Sequence, residues 1–561
     1  MVDALYNWFD NRLNISTGGR KIVNKIFPDH WSFMIGEIAL YSFVVLLATG
    51  VFLSLYFVPS TATVVYNGPY TPLHGQVVSE AYASTINLSF SVRTGLLMRQ
   101  MHHWAANIFL GAIVVHMCRI FFTGGFRRPR EMNWIIGVNL LILSIFNGFL
   151  GYSLPDDLVS GTGIRIALSI LESLPLVGSY LAVFLFGGKF PGTSLIPRFF
   201  LLHVLILPAV IALLIGMHLG LLVRQKHTQF RGGGATEHNV VGAPMWPTFM
   251  AKTQGFLFLV AGVTAILGAA VQINPIWLYG PYVPYHVTYA VQPDWYMGWL
   301  DGALRVMPSW ETVWGPAVGG HMIPNAFWPA IVLPGITFTV LMMWPFIEAR
   351  LTGDRVDHQL LDRPRDRPKR TALGVSVLSF YFVLFGASAT DVLANYLDVS
   401  LNIVLVAFRV LVIAVPLVMY PLALKICKEI QDTPGAVKPK RHNIVVRSAE
   451  GGFEAVPSAG RPGDEKVELE PVSLDYAPVL EPAMAAAGGD GHGSVQVSAG
   501  TTAAAQAAMA AAASIAARGA AGKGGAGSGD GASGDGAGGD GDGAGGDGRK
   551  RGIFRIPRNY R

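Results

Sequence analysis

The sequence predicts an all-α membrane protein, a bundle of eight spanning helices followed by a long polar tail, and three observations predict it. Half of the 561 residues are apolar and only 14% are charged, which is a membrane composition. Apolar stretches long enough to cross roughly 30 Å of hydrocarbon, at about 1.5 Å per residue, recur eight times. Basic residues alternate loop by loop, which sets an orientation for a chain with an even number of spans.

The stretches lie near residues 32–57, 101–123, 134–152, 199–223, 254–273, 326–347, 371–393 and 401–424. Arg12 and Lys25 precede the first. Arg119, Arg127, Arg128 and Arg130 lie between the second and third, and Arg224, Lys226, Arg231 and Lys252 between the fourth and fifth. The segment from Arg350 to Arg370 adds more, whereas the opposite loops hold few. Both termini are therefore expected in the cytoplasm. Charge distributed in this way is a topology signal and not the continuous stripe of a nucleic-acid binder, so no nucleic-acid partner is expected.

Three outer connections, 58–100, 153–198 and 274–325, mix turn residues with aromatic and apolar ones and are expected to form a packed cap. Ser160 to Leu176 reads as short amphipathic helices over the bundle. After Pro434 hydropathy falls. Thr501 to Ala521 is Ala-rich and can form a helix, Gly524 to Gly548 repeats Gly and Asp and is expected to stay disordered, and Arg549 to Arg561 is basic. That basic end suits anionic lipid or a partner, and equally a merely solvated terminus. The only cysteines are Cys118 and Cys427. Without a Cys-x-x-Cys-His signature or a cysteine set for an iron–sulfur cluster, any such centre must come from a partner.

Ligand-type side chains inside spans are expensive and usually mark function. His102 and His116 on the second span are fourteen apart, within roughly 40° of one helix face and about 21 Å apart along the axis. His203 and His218 on the fourth span are fifteen apart, within roughly 60°. The two helices run in the same direction, so His102 meets His203 near the outer face and His116 meets His218 near the inner. Neutral imidazole is a good axial ligand for haem iron, and two such sites would carry electrons across the bilayer. His103 is the rival outer ligand, but its thirteen-residue spacing to His116 puts it on the far side of the helix.

Planar haems need close backbone approach, which small residues allow. Gly36 and Gly50 on the first span and Gly137 and Gly151 on the third repeat the fourteen-residue period, although ordinary glycine-mediated packing would also account for them. Trp134, at the inner start of the third span, is a further haem-contact candidate. Arg99 and Arg119 stand beside the two ligands of the second span, placed either to meet haem propionates or as ordinary boundary arginines.

These segments resemble a known family. Arg99-Gln-Met-His102, His116-Met-Cys-Arg119, the two glycine pairs, Gly151-Tyr-Ser-Leu-Pro155 and Pro293-Asp-Trp-Tyr296 are similar to the motifs of cytochrome b in bc1 and b6f complexes, over about residues 30–425. The resemblance implies a quinol oxidoreductase of the bacterial cell membrane with two haems b, a low-potential outer one and a high-potential inner one. At an outer site quinol would give one electron to a Rieske iron–sulfur subunit and one to the outer haem, and the inner haem would reduce quinone at the cytoplasmic face, contributing to the proton gradient. It implies division into a segment 1–30, a di-haem core 31–230, a four-span region 231–425 carrying the quinol loop, and a tail 426–561.

In the family the motif of that loop carries a glutamate as proton acceptor. Here Asp294 takes its place, one methylene shorter, with Pro293, Trp295 and Tyr296 lining the pocket. A partly buried carboxylate can take a quinol proton and swing it to water, although an aspartate after proline can also simply cap a turn. Asp301 reads as a second relay carboxylate or as an exposed acid. At the inner site the resemblance thins, since Val223 stands where mitochondrial relatives have a histidine and Lys252-Thr253 replaces Lys-Asp. Lys226, His227 and Lys252 are the candidates there, with lipid headgroups as their alternative partners.

The fifteen-residue gap resembles b6f-type spacing, whereas eight spans in one chain do not. The aspartate motif and the long tail are most similar to actinobacterial cytochrome bcc complexes. That similarity implies menaquinol as substrate, a di-haem cytochrome c subunit, an aa3-type oxidase supercomplex and a homodimer. Two other classes use intramembrane histidines: the cytochrome b anchor of another dehydrogenase, and a proton-relay transporter. Neither requires paired ladders of equal span together with an outer Pro-Asp-Trp-Tyr loop.

Overall fold

The structure is a computed structural model and describes residues 2–13, 19, 23–188, 190–286, 292–309, 312–314, 321–432, 443–447 and 453–457. The expectations for Thr501–Ala521, Gly524–Gly548 and the terminal basic cluster lie outside the described residues.

Among these residues eight helices are long and apolar enough to cross a membrane: Trp31–Ser54, Gly95–Thr123, Glu131–Ser153, Leu195–Gln225, Met245–Ala270, Trp328–Thr352, Pro368–Ala387 and Leu401–Gln431. Each matches an expected stretch. The second begins at Gly95, six residues before the apolar run, because Arg99 and Gln100 are buried within the helix. Gln100 earns that position by bonding the Ile273 backbone in both directions, through Nε2 at 2.8 Å and Oε1 at 2.9 Å, so its polar atoms do not stay unpaired.

The fourth span contains the fold's most informative irregularity. Pro208 has no N–H to offer the carbonyl four residues back. Leu202–Ile206 accordingly forms a π-helical turn, in which the Leu207 N–H reaches the Leu202 carbonyl. One extra residue is absorbed beside His203.

The first four spans enclose a core of Ala39, Phe43, Phe109, Ala112, Ile136, Leu140 and Ile211, which lies between the two histidine levels in sequence. The outer cap packs Tyr66, Leu73, Val78, Tyr82 and Ile86 of the first connection against Ile276 of the third. Within the second connection, Leu158–Glu172 begins with a capping box, Asp157 accepting from the Val159 and Ser160 N–H groups, and Gly178–Phe186 follows. Trp295–Val306 starts directly after Asp294 and buries Ala303 and Val306 against Leu384 and Ala387 of the seventh span.

The inner loops are joined by short ladders and by ions. Ile26–Phe27 pairs antiparallel with Ala243–Pro244, and Gln229–Phe230 pairs parallel with Leu360–Leu361. Asp362 binds Arg127 at 3.2 Å and Arg370 at 3.0 Å, and Arg370 also binds Glu348. All four side chains are largely buried, so removing one would strand a charge.

Candidate functional site

The four intramembrane histidines meet in two pairs. The ring centres of His102 and His203 are 6.1 Å apart, with planes at 77°, and those of His116 and His218 are 6.5 Å apart at 72°. Two imidazoles on one metal, with bonds of about 2.0 Å and about 1.1 Å more to each ring centre, stand about 6 Å apart. Both pairs are set for that arrangement. The π-turn explains how a fifteen-residue spacing on one helix matches a fourteen-residue spacing on the other.

Each expected glycine faces one of these rings. A Cβ on Gly36 would come within 3.1 Å of His116 Cε1, one on Gly50 within 3.3 Å of His102 Cε1, one on Gly137 within 3.7 Å of His218 Cε1, and one on Gly151 within 2.8 Å of His203 Nε2. The glycines make room for the imidazoles themselves.

The arginines test whether a haem would fit. Arg99 Nη1 donates to the Asn274 carbonyl at 3.1 Å, but its Nε and Nη2 are buried without partners among the described residues. Arg119 lies 4.4 Å over the Phe33 ring, and its Nε and Nη2 are likewise unpartnered. Buried guanidinium N–H groups without hydrogen-bond partners are costly, and one such guanidinium stands beside each pair. Anionic propionates would supply what both lack. Trp134 faces elsewhere: its Nε1 donates to the Leu341 carbonyl at 2.6 Å and its ring packs on Phe126, toward the sixth span.

Two cavities meet at the outer end. The first, about 240 Å³, is lined by Gly50, Arg99, His102, Gly151 and His203 and also reaches Asp294 and Tyr296. The second, about 470 Å³, is lined by Pro293, Asp294, Trp295, Tyr152, Tyr279 and Gln292. Asp294, His103, Tyr152 and Asn274 line both. Tyr296 donates to Asp294 Oδ2 at 3.1 Å, and burial, with Asp294 beside it, pushes its phenol well above the usual range. Gly148 allows this, since a Cβ there would stand 2.8 Å from the Tyr296 hydroxyl.

The spacing argument left His103 without a role once it was set aside as a haem ligand. In the structure its Nε2 stands 3.0 Å from both carboxylate oxygens of Asp294. Adjacency to a ligand inside a span was the only sequence signal for it. Asp301 is placed differently from the relay expectation, since Arg305 binds it at 2.8 Å and in turn holds Asp391 at 2.9 Å. Burial raises its carboxyl and Arg305 opposes the rise.

At the inner end the three candidates do not form one cluster, and no hydrogen bond or ion pair joins them among the described residues. Lys252 pairs with Asp29 at 2.6 Å in the open. Lys226 is exposed at the end of the fourth span, and its carbonyl accepts from Arg130. His227 lies between aromatic rings, 4.8 Å from Phe33 and 6.1 Å from Phe27. Burial, with Arg119, Arg130 and Lys25 nearby, lowers its imidazole to about 4.

Comparison with known proteins gives this geometry a family. Residues 107–281 match the family described as cytochrome b (N-terminal)/b6/petB. The chain is 47% identical to the cytochrome bc1 complex cytochrome b subunit of Streptomyces coelicolor, over 80% of this chain and 82% of that one. It is 48% identical to the Corynebacterium diphtheriae subunit of the same description, over 84% and 86%, and 46% identical to that of Mycobacterium tuberculosis, over 86% and 88%. A solved structure titled "Hyperthermophilic respiratory Complex III" shares the fold at a TM-score of 0.56 and 20% identity, over 75% of this chain and 98% of that one. Similar to actinobacterial relatives along most of its length, the chain belongs to the cytochrome b family of bc1-type complexes, the membrane subunit of respiratory complex III, the quinol:cytochrome c oxidoreductase.

Proposed function

We propose that this subunit oxidises menaquinol at its outer end and delivers electrons toward a quinone site at its inner, cytoplasmic end, with both termini in the cytoplasm. The observation that carries the reading is the shared wall at the outer end, where one cavity brings His102 and His203 together with Asp294 and Tyr296. His102 and His203 would hold one haem b and His116 and His218 a second, the outer of lower potential. When bound, these groups supply one-electron transfer between the two levels. Arg99 and Arg119 would neutralise their propionates.

The chain's own residues do the rest. Pro293 and Trp295 form the pocket wall. Asp294 carries the proton chemistry on the outer side, so quinol oxidation there adds to the proton gradient. Tyr296 holds the carboxylate in place. Partner subunits are a Rieske iron–sulfur protein, which takes the other electron, and a di-haem cytochrome c, in a homodimer joined to an aa3-type oxidase. The relatives' description as subunits of a cytochrome bc1 complex supports the presence of partner subunits. The absence of iron–sulfur or c-type haem motifs from this sequence leaves such centres to them. The di-haem cytochrome, the homodimer and the oxidase follow only from the resemblance to actinobacterial bcc complexes.

The test is a reduced-minus-oxidised spectrum with a redox titration, repeated for His→Ala changes at positions 102, 116, 203 and 218. Two b-type components are expected. His102→Ala and His203→Ala should remove one, and His116→Ala and His218→Ala the other. A folded chain without haem absorbance would overturn the reading in favour of a proton-relay transporter.

A further inference from the structure

The inner end holds a carboxyl group that the outer chemistry does not use. Glu37 lies six residues past Trp31, the start of the first span, roughly 9 Å along the helix. Its neighbour Gly36 faces the His116 ring, so Glu37 stands at the level of the inner imidazole pair, turned roughly 100° away around the helix. The groups it meets belong to the first and fifth spans. The Tyr41 hydroxyl, one turn on, donates to Glu37 Oε2 at 3.4 Å. Thr253 of the fifth span approaches the same hydroxyl, and Phe256 packs edge-on against the Tyr41 ring at 6.1 Å.

Lys252 is the cation whose field reaches Glu37, yet it is exposed and bound to Asp29 at 2.6 Å. Glu37 itself makes no ion pair among the described residues. Its second oxygen, Oε1, has no hydrogen-bond partner there and is not sealed, because the side chain is only half-buried. An ionisable group inside a span is expensive and marks a substrate or proton path. A residue needed only to strut two helices would be a glutamine at lower cost, since an amide keeps the bond to Tyr41 without carrying a charge into hydrocarbon. What an amide cannot do is lend an acidic proton.

We propose that Glu37 hands the proton to a quinone carbonyl at the inner end, with Tyr41 orienting its carboxyl group and the Lys252–Asp29 pair at the water side. The inference deepens the reading of an inner quinone site and rests on it. In each of two rounds an electron reaches the quinone from a ferrous iron centre of the complex, which becomes ferric. The Glu37 O–H bond breaks and an O–H bond forms on the quinone oxygen. Glu37 then regains a proton from cytoplasmic water, and after the second round the quinone leaves as quinol. The open Oε1 faces the reaction, and the held Oε2 fixes its direction.

The test uses the intact complex and follows the b-type signals in stopped flow, reduced beforehand and then mixed with a short-chain naphthoquinone. Glu37→Gln is expected to slow reoxidation about 100-fold, with both signals kept and the first-turnover reduction of the outer component by quinol unchanged. Glu37→Asp should recover part of the rate. Reoxidation of Glu37→Gln within about twofold of the unaltered complex would overturn the proposal. If the unaltered complex is then reoxidised readily, an inner quinone site stands without Glu37; if it is not reoxidised at all, the inner-site reading itself falls. Should Glu37→Gln lose the inner signal, the unaltered complex decides. Dicyclohexylcarbodiimide, which attacks protonated carboxyl groups in hydrocarbon, should label Glu37 and slow reoxidation. No label at Glu37, or a label without loss of rate, overturns the proposal.

Discussion

The outer and inner ends of the bundle hold nearly the same pair of imidazoles, 6.1 and 6.5 Å apart, in opposite surroundings. At the outer end each ring is held by its far nitrogen: His102 Nδ1 lies 2.9 Å from the Thr49 hydroxyl and His203 Nδ1 lies 2.9 Å from the Asn147 carbonyl. At the inner end Nδ1 of His116 has no hydrogen-bond partner among the described residues, and the Asn133 backbone approaches His218 without completing the geometry of a full hydrogen bond. The outer pair opens on two cavities. Beyond the inner pair lie a buried ionic clasp and His227 set among aromatic rings. Helix packing alone thus fixes where the histidines stand, and loops and neighbouring side chains give each end its separate surroundings.

The glycines give the sharpest way to break this contrast. A Cβ on Gly151 would meet Nε2 of His203 at 2.8 Å, whereas one on Gly137 stands at an ordinary 3.7 Å from His218 Cε1. Gly151→Ala should lose the outer haem component, about half of the b-type absorbance, and Gly137→Ala should keep both. Equal retention in the two variants would show that the outer end is no tighter than the inner.

A smaller effect is expected at Thr49, which donates to the Val45 carbonyl at 2.7 Å and so presents an acceptor to His102 Nδ1–H. Thr49→Val removes that bond, worth about 1 kcal/mol. It also leaves His102 a less basic ligand. The outer component should move to higher midpoint potential in a titration while the inner one stays in place. A shift of both components would mean that the ends are not independent.

The smallest effect separates the ends by sign. Burial raises Asp156, in the outer connection, to about 6, so the folded state there binds a proton more readily than the unfolded chain. Its penalty is complete above that value and is relieved as pH falls through it. His227 is lowered to about 4, so its contribution to stability is present above the unfolded value near 6.5 and is lost as pH falls toward 4. Between pH 7.5 and 5.5, each effect is roughly 1 kcal/mol. Hydrogen exchange, corrected for its intrinsic rate, should quicken around residue 227 and slow around residue 156. The same sign at both ends would refute the assignment of either group.

The sequence by itself determined the eight spans, the histidine ladders and the glycine period, because each is a local pattern. A helix repeats every 3.6 residues whatever surrounds it. It also marked Asp294, through the resemblance of Pro293-Asp-Trp-Tyr296 to the motif of the family's quinol loop. Only the tertiary structure decided the rest. The unequal fourteen- and fifteen-residue spacings come level because Pro208 opens a π-turn beside His203. Trp134 is drawn toward Leu341 and Asp301 toward Arg305. His103 acquires its partner 191 residues away. Such pairings follow from which surfaces the packed helices bring together, and no period along a single helix encodes them.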